Sequence, residues 1–201
     1  MTKKLSIGIL VMAAGMSSRM KDIKQLLPWG DVTLIGNALK NAQSSKGSRV
    51  LTVLGAHGRE IVKQSSFSIT EFVLNPTWKM GLGNSIAYGT KCLLEQDQDY
   101  DGILVMLADQ PLIDDKYLNV LIDNFSNSEH SIVATKYDDR VGVPAIFGEI
   151  HFKALMGLDS DYGAREIIKT HSNDVLEVSA HGKALDIDTS EEYERMKKSR
   201  E

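Results

Sequence analysis

Arg19, Lys24, Asp109 and the pair Asp186 and Asp188 are the side chains whose types and settings suit phosphate chemistry. The first two follow an apolar run, Ile7 to Ala14, that ends abruptly in Gly15, Ser17, Ser18 and Arg19. A buried strand that stops in small, polar and cationic residues places backbone N–H groups and positive charge at its carboxyl end. Open α/β sheets bind ligands there, and clustered N–H groups favour an anion. Ala13, Ala14 and Gly15 are small enough for a base or phosphate to lie close to the backbone. Arg19 offers a planar fork that matches phosphate oxygens. Lys24 is a compact cation for a second phosphate, and Ser17 adds a hydroxyl. Neither the G-x-x-x-x-G-K-[ST] nor the G-x-G-x-x-G phosphate pattern can be laid on Gly15.

Leu107-Ala-Asp-Gln-Pro111 closes a second continuous apolar run, Gly102–Leu107. An acid emerging there suits a divalent metal, and Mg2+ usually takes one or two carboxylates plus substrate phosphates. Asp109 is the first expected ligand. Asp186 and Asp188 alternate with Ile187 and so project to one side of an extended segment. One of the two is expected to serve the cap of the last helix, leaving Asp188 as the second metal ligand. Thr189 or Ser190 is the cap itself, with Glu191 or Glu192 in the first turn. Gly81 and Gly83 open a helix whose free N–H groups favour an anion, with Ser85 nearby. Trp78 is read as core. Pro144 in Gly142-Val-Pro144, together with Asp161, Gly163 and Arg165, forms a further candidate anion site for the acceptor.

The elements that must carry these residues alternate. Strands are expected at Ile7–Ala14, Arg49–Gly55, Glu71–Leu74 and Gly102–Leu107, separated by helices near Thr33–Gln43, Arg59–Ser65 and Asn84–Glu95. Asp114 and Asp115 are placed as acids opening the helix that follows. Continuous apolar strands imply burial on both faces, and the alternation predicts βαβ units. After about residue 130 the order changes. Strands at Ser131–Lys136 and Val143–Phe147 flank a polar turn at Asp138–Gly142. Helices at Glu149–Met156 and Ala164–Thr170, a strand at Val175–Val178 and a helix at Ser190–Lys198 follow. No linker, repeat or low-complexity segment divides the chain, so residues 1–201 are read as one doubly wound, mostly parallel, Rossmann-like α/β domain.

Composition narrows the function classes. The chain has 201 residues and a net charge of −4, with no basic block interleaved with aromatics, which argues against nucleic-acid binding. No apolar stretch is long enough to span a membrane. Lys3-Lys4 before an apolar run is read as the lead into strand one, not a targeting segment. The single Cys92 excludes an intramolecular disulfide and suits a reducing, cytoplasmic compartment; it is read as a structural thiol. The five histidines show no metal spacing, and no G-x-S-x-G is present.

The first motif resembles the nucleotidyltransferase signature L-A-A-G-x-S-x-R-M-G-x-x-K-x-L-L-P. Ala13, Ala14, Gly15, Ser17, Arg19, Met20, Lys24, Leu26, Leu27 and Pro28 fit it, whereas Met12 and Lys21 depart from it. With L-A-D-Q-P, G-x-P, D-x-G-A-R and D-I-D-T in the same order, the chain resembles the molybdenum cofactor cytidylyltransferase family. That family is a branch of the MobA-like nucleotidyltransferases, with the nucleotide-diphospho-sugar transferase fold. Ala14 stands where guanylyl-transferring relatives carry a second Gly. The resemblance implies transfer of CMP from CTP to the phosphate of molybdenum-bound molybdopterin, with release of pyrophosphate. It implies Mg2+, with Mn2+ as a substitute. Arg19, Lys24 and Asp109 would be the catalytic group; Ala13, Ala14, Gly15, Ser17, Gly81 and Ser85 would join them around the nucleotide. A molybdenum hydroxylase apoenzyme would receive the product. The competing readings are a guanylyl- or other nucleotidyltransferase, and a non-catalytic chaperone that carries the cofactor.

Overall fold

The computed structural model describes residues 5–17, 19–20, 22–65, 71–95, 98–138, 140–159 and 163–199. The chain runs β1 (Ile7–Ala13), β2 (Pro28–Trp29), β3 (Val32–Thr33), α1 (Leu34–Ser44), β4 (Arg49–Leu54), α2 (Gly58–Gln64), β5 (Phe72–Leu74), α3 (Leu82–Leu94) and β6 (Gly102–Leu107). The second half adds α4 (Asp115–Asn127), β7 (Ile132–Lys136), β8 (Val141–Gly148), α5 (Phe152–Met156), α6 (Arg165–Thr170), β9 (Val175–Ser179) and α7 (Ser190–Lys198). A seven-stranded sheet takes the order β5-β4-β1-β6-β8-β7-β9. All of its strands run in one direction except β8, which is antiparallel to both β6 and β7. The expected mostly parallel α/β domain is therefore present.

β1 is buried at every position because it is central and covered on both faces. Its side chains divide with the two-residue period of a strand. Ile7, Ile9 and Val11 pack with Ile35, Leu39, Leu118 and Leu121 from α1 and α4. Leu10 and Met12 face the other way, among Ile86, Leu93, Phe152 and Leu155 from α3 and α5. α3 lies close to the sheet because Gly89 has no side chain: a Cβ there would sit 2.5 Å from Val53 Cγ2. A third cluster joins Trp29 and Leu34 to Ile187, Tyr193 and Met196, fastening α7 across the start of α1. Tyr193 Oη donates to the Pro28 carbonyl at 2.6 Å.

The helix starts follow local chemistry. Thr33 Oγ1 accepts from Gly36 N at the head of α1, and Asp114 accepts from Tyr117 N at the head of α4. Cys92 is half-buried, and burial pushes its thiol pKa up, in keeping with a structural role. Among the described residues no helix is long and apolar enough to cross a membrane.

One pair of strands lies outside the sequence expectations, and two expectations are corrected. The antiparallel pair β2–β3 was not foreseen; two-residue strands leave no periodicity to read. The stretch expected to be one helix at Glu149–Met156 is a 3₁₀ turn, Glu149–His151, leading into the shorter α5. β8 begins at Val141, ahead of the expected Val143, because Lys136 and Val141 pair and tighten the turn.

Phe147 is fully buried on the reversed strand β8. Phe147→Ala should lower unfolding free energy by about 3–5 kcal/mol in a urea titration, the range for aromatic truncation in a core that relaxes incompletely.

Candidate nucleotide and metal site

The chain lays β4 and β5 outward from one side of β1 and places β6 on the other. The crevice beyond the carboxyl ends of β1 and β6 is thus the switch point where open α/β sheets take ligands. Met12 pairs with Leu107, and the ladder continues one step, Ala108 N donating to Met12 O at 3.0 Å. Asp109 emerges directly opposite the loop that follows β1.

That loop is shaped by Gln25, a residue the motif comparison leaves as an x. Gln25 is 5% exposed. Its Nε2 donates to the carbonyls of Gly15, at 3.0 Å, and Ala13, at 3.3 Å. Its Oε1 accepts from Ser17 Oγ at 3.2 Å. Ser17 takes a left-handed φ of 57° and receives Lys24 N on its Oγ at 3.3 Å. Ser17 is therefore a loop former as well as a cavity residue. Ala13 and Ala14 are nearly buried, while Gly15 is exposed; a Cβ on Gly15 would meet nothing within 4 Å. Lys21, the departure from the signature, lies outside the described residues.

Lys24 Nζ lies 2.7 Å from Asp109 Oδ2 and 3.4 Å from Asp188 Oδ1. Arg19 Nη2 lies 3.0 Å from Asp188 Oδ2. Asp109 Oδ1 is buried and has no hydrogen-bond partner among the described residues. The two expected metal carboxylates thus converge on one ammonium, with a buried acceptor oxygen left over. That donor set fits a hard divalent cation completed by phosphate oxygens. No group of three or more His, Cys, Asp or Glu suited to a metal occurs among the described residues.

The carboxyl-terminal segment reaches the site through Ile187. Its N–H donates to Asp109 O at 3.0 Å, and its side chain is fully buried. Asp186 and Asp188 flank it as the alternation predicts. The expectation that one of them caps α7 is corrected: Thr189 and Glu192 form a complete capping box. Asp188 gives the cap only its backbone N–H, to Glu192 Oε2 at 2.8 Å. The freed carboxylate, Asp186, is held by Gln110 Nε2 at 2.8 Å and lies 3.6 Å from Arg140 Nη2. Gln110 also donates to Tyr137 Oη at 2.8 Å, and Arg140 stacks over the Tyr137 ring at 4.6 Å. Burial first, then the nearby Asp109 charge, raises the Asp186 pKa. Burial, then Asp186, pushes the Tyr137 phenol up to about 12.

Three cavities meet this centre. The smallest, about 80 Å³, is lined by Ala13, Gly15, Ser17, Lys24, Gln25 and Asp109 among others. One of about 360 Å³ runs from Ala14, Gly15 and Asp109 to Trp78, Gly81 and Ser85. Trp78, expected in the core, is a half-buried wall of this cavity. It is drawn in by Gly55, where a Cβ would meet Trp78 Cβ and the Ala14 carbonyl at 2.6 Å. Gly81, at φ 108°, caps α3. Ser85 is 1% exposed, and its hydroxyl accepts from Asn75 Nδ2 at 3.1 Å. The third cavity, about 710 Å³, opens from Asp186 and Asp188 to Tyr137, Arg140 and Arg165.

The expected acceptor residues do not all gather there. Arg165 does. Pro144 is buried in β8, its carbonyl taking the Thr135 hydroxyl at 2.6 Å. Gly163 is buried at φ 59° with Leu82 Cδ2 3.1 Å from its would-be Cβ, so packing and backbone shape explain it. Asp161 lies outside the described residues.

A switch-point crevice with a strand-end loop, a lysine and two convergent acids is the setting of a nucleotidyltransferase-superfamily domain. The chain belongs to the MobA-like NTP transferase domain family, whose model matches residues 9–175. It is similar to the purine catabolism protein PucB of Bacillus subtilis (strain 168), 29% identical over 96% of each chain. It is 35% identical to the molybdenum cofactor cytidylyltransferase of Escherichia coli (strain K12), over 40% of this chain and 42% of that one. The structure of Rv0371c from Mycobacterium tuberculosis H37Rv matches with a TM-score of 0.84 at 28% identity, covering 96% of this chain and 98% of that one. The same protein's complex with manganese matches at 0.80, with 28% identity over 96% and 99%.

Gln25→Ala removes the donor to the Ala13 carbonyl in a buried setting, and to the Gly15 carbonyl beside it, and should cost about 1–3 kcal/mol of stability in urea unfolding. Ser17→Ala, which removes one partner of Gln25, should cost less. Asp186 gives a pH-dependent test. Its native pKa is raised, so between its unfolded and native values the folded state binds the extra proton, and stability falls as pH rises through that window. Asp186→Asn keeps an acceptor for Gln110 and removes the buried charge. Its Tm should exceed the parent's at pH 7, with the gain vanishing below the ordinary Asp range. A lower Tm at pH 7 would mean that the Arg140 attraction outweighs burial.

Proposed function

We propose that the protein transfers CMP from CTP to the terminal phosphate of molybdenum-bound molybdopterin, giving molybdopterin cytosine dinucleotide and pyrophosphate. The observation that carries this reading is the convergence of Arg19, Lys24, Asp109 and Asp188 beside the Gly15 loop. The acceptor phosphate has a second pKa of roughly 6 and is largely dianionic at neutral pH. Its oxygen attacks the α-phosphorus in line; that P–O bond forms as the bond to the β-phosphate oxygen breaks. No protein base is needed, which agrees with a site of cations and acids. The residues' work is positioning and charge neutralisation. Ala13 to Gly15 and Ser17 border the nucleotide, with Gly81 and Ser85 along the adjoining cavity that Gly15 shares. Arg19 and Lys24 hold its phosphates. Asp109 and Asp188 would hold Mg2+ or Mn2+, which when bound would neutralise charge on the phosphates. Arg165, Arg140 and Tyr137 border the acceptor. The likeness of part of the chain to the E. coli cytidylyltransferase, and Ala14, support the choice of CTP. The reaction belongs in the cytoplasm, with a molybdenum hydroxylase apoenzyme receiving the product.

The likeness to a purine catabolism protein over 96% of both chains favours a second reading. In it the chain binds the cofactor without turnover and carries it to a catabolic molybdenum hydroxylase. Pyrophosphate release measured with CTP, GTP, ATP and UTP, each with metal and the pterin acceptor, separates the readings. Acceptor-dependent release from CTP alone is expected. Release from another nucleotide would reassign the base, and binding without release would favour the carrier. Asp109→Ala should remain folded and lose at least about a hundredfold in turnover, since one preorganised charge-stabilising group is typically worth that much.

A further inference from the structure

We infer that Lys24 competes with a divalent cation for Asp109 and Asp188, so that the cation enters only together with a nucleoside triphosphate. This rests on the reading of Asp109 and Asp188 as the metal ligands. Three of their four carboxylate oxygens already face a cation. Asp109 Oδ2 and Asp188 Oδ1 share Lys24 Nζ, and Asp188 Oδ2 faces Arg19 Nη2. The Lys24 side chain is 12% exposed and Asp109 24%, so this is a largely enclosed ammonium, whereas Arg19 at 65% is a loose surface arm. Mg2+ binds carboxylate oxygens at about 2.0–2.1 Å, and an ammonium cannot share the space between the same two oxygens with such an ion. A free cation must therefore expel Lys24 into the crevice, leaving its charge unpaired beside the incoming ion. A triphosphate removes that obstacle. Lys24 also lines the small cavity with Gly15 and Ser17, so a short swing carries its ammonium from the carboxylates to phosphates lying on the loop. The displaced lysine gains an anion as the carboxylates gain the metal. By linkage, the nucleotide then tightens metal binding by the same factor that the metal tightens nucleotide binding.

The test uses the full chain and Mn2+ alone, with free Mn2+ read by electron paramagnetic resonance and no nucleotide present. Lys24→Met should bind Mn2+ at least about tenfold more tightly than the parent, within the usual 5–150-fold range of site coupling. Adding Asp109→Asn should abolish that gain. Equal Mn2+ affinity in the parent and Lys24→Met, both lost on Asp109→Asn, would overturn the lysine block while leaving the carboxylates as metal ligands. A gain that survives Asp109→Asn would overturn the metal assignment itself. The parent chain supplies a readout independent of any variant. Its Tm should rise more with Mn2+ and CTP together than the sum of the rises with each alone; additive shifts would overturn the coupling.

Discussion

The parallel pairing of β1 with β6 is the constraint on which the rest of the site depends. Its register sets Met12 beside Leu107, and the Ala108–Met12 bond carries the pair one residue past the strands. That extra step decides that a cationic loop and an acidic residue face each other across a few ångströms. Slipping parallel strands by one residue would exchange the faces of β6 and send its buried side chains to the wrong layer. Both layers of the core therefore defend the register that builds the crevice.

The second half of the chain is brought to the same edge by two devices. β8 runs against its neighbours, so the turn between β7 and β8, with Tyr137 and Arg140, lies at the carboxyl end of β6. The segment after β9 then crosses that edge, anchored by the buried Ile187 and its bond to Asp109 O. α7 holds this segment from the far side through Tyr193 and Met196. The acids are thus positioned by an apolar residue between them. Electrostatics alone would not place them, since the Asp109 charge adds to the cost of ionising the buried Asp186.

The sequence reveals the carriers of the site more readily than its supports. β1, β6 and α7 were legible because each has a local signature: an unbroken apolar run, or a cap followed by acids. Arg19, Lys24, Asp109 and Asp188 were legible as candidates because each lies just beyond or just before such an element. Gln25 was not, since nothing local marks a buried glutamine as the clasp of a loop eight residues before it. Trp78 was misplaced because an aromatic serves core and cavity wall equally well until its neighbour is known, and Gly55 is far from it in sequence. Gly163 and Pro144 show the converse case. Residues that punctuate a motif also have structural roles that the local sequence does not display: Gly163 fits a left-handed turn against Leu82, and Pro144 lies buried inside β8 with its carbonyl taking the Thr135 hydroxyl.

Gln25 separates the shape of the loop from its chemistry. The clasp reaches the Ala13 and Gly15 carbonyls and the Ser17 hydroxyl, while the Ala14 carbonyl is taken independently by Ala56 N. The side chain at position 14 carries none of these bonds. Position 14 is thus one place on the cavity wall that is free of the bonds holding the loop. An exchange of Ala for Gly there would reshape the wall without rebuilding those bonds.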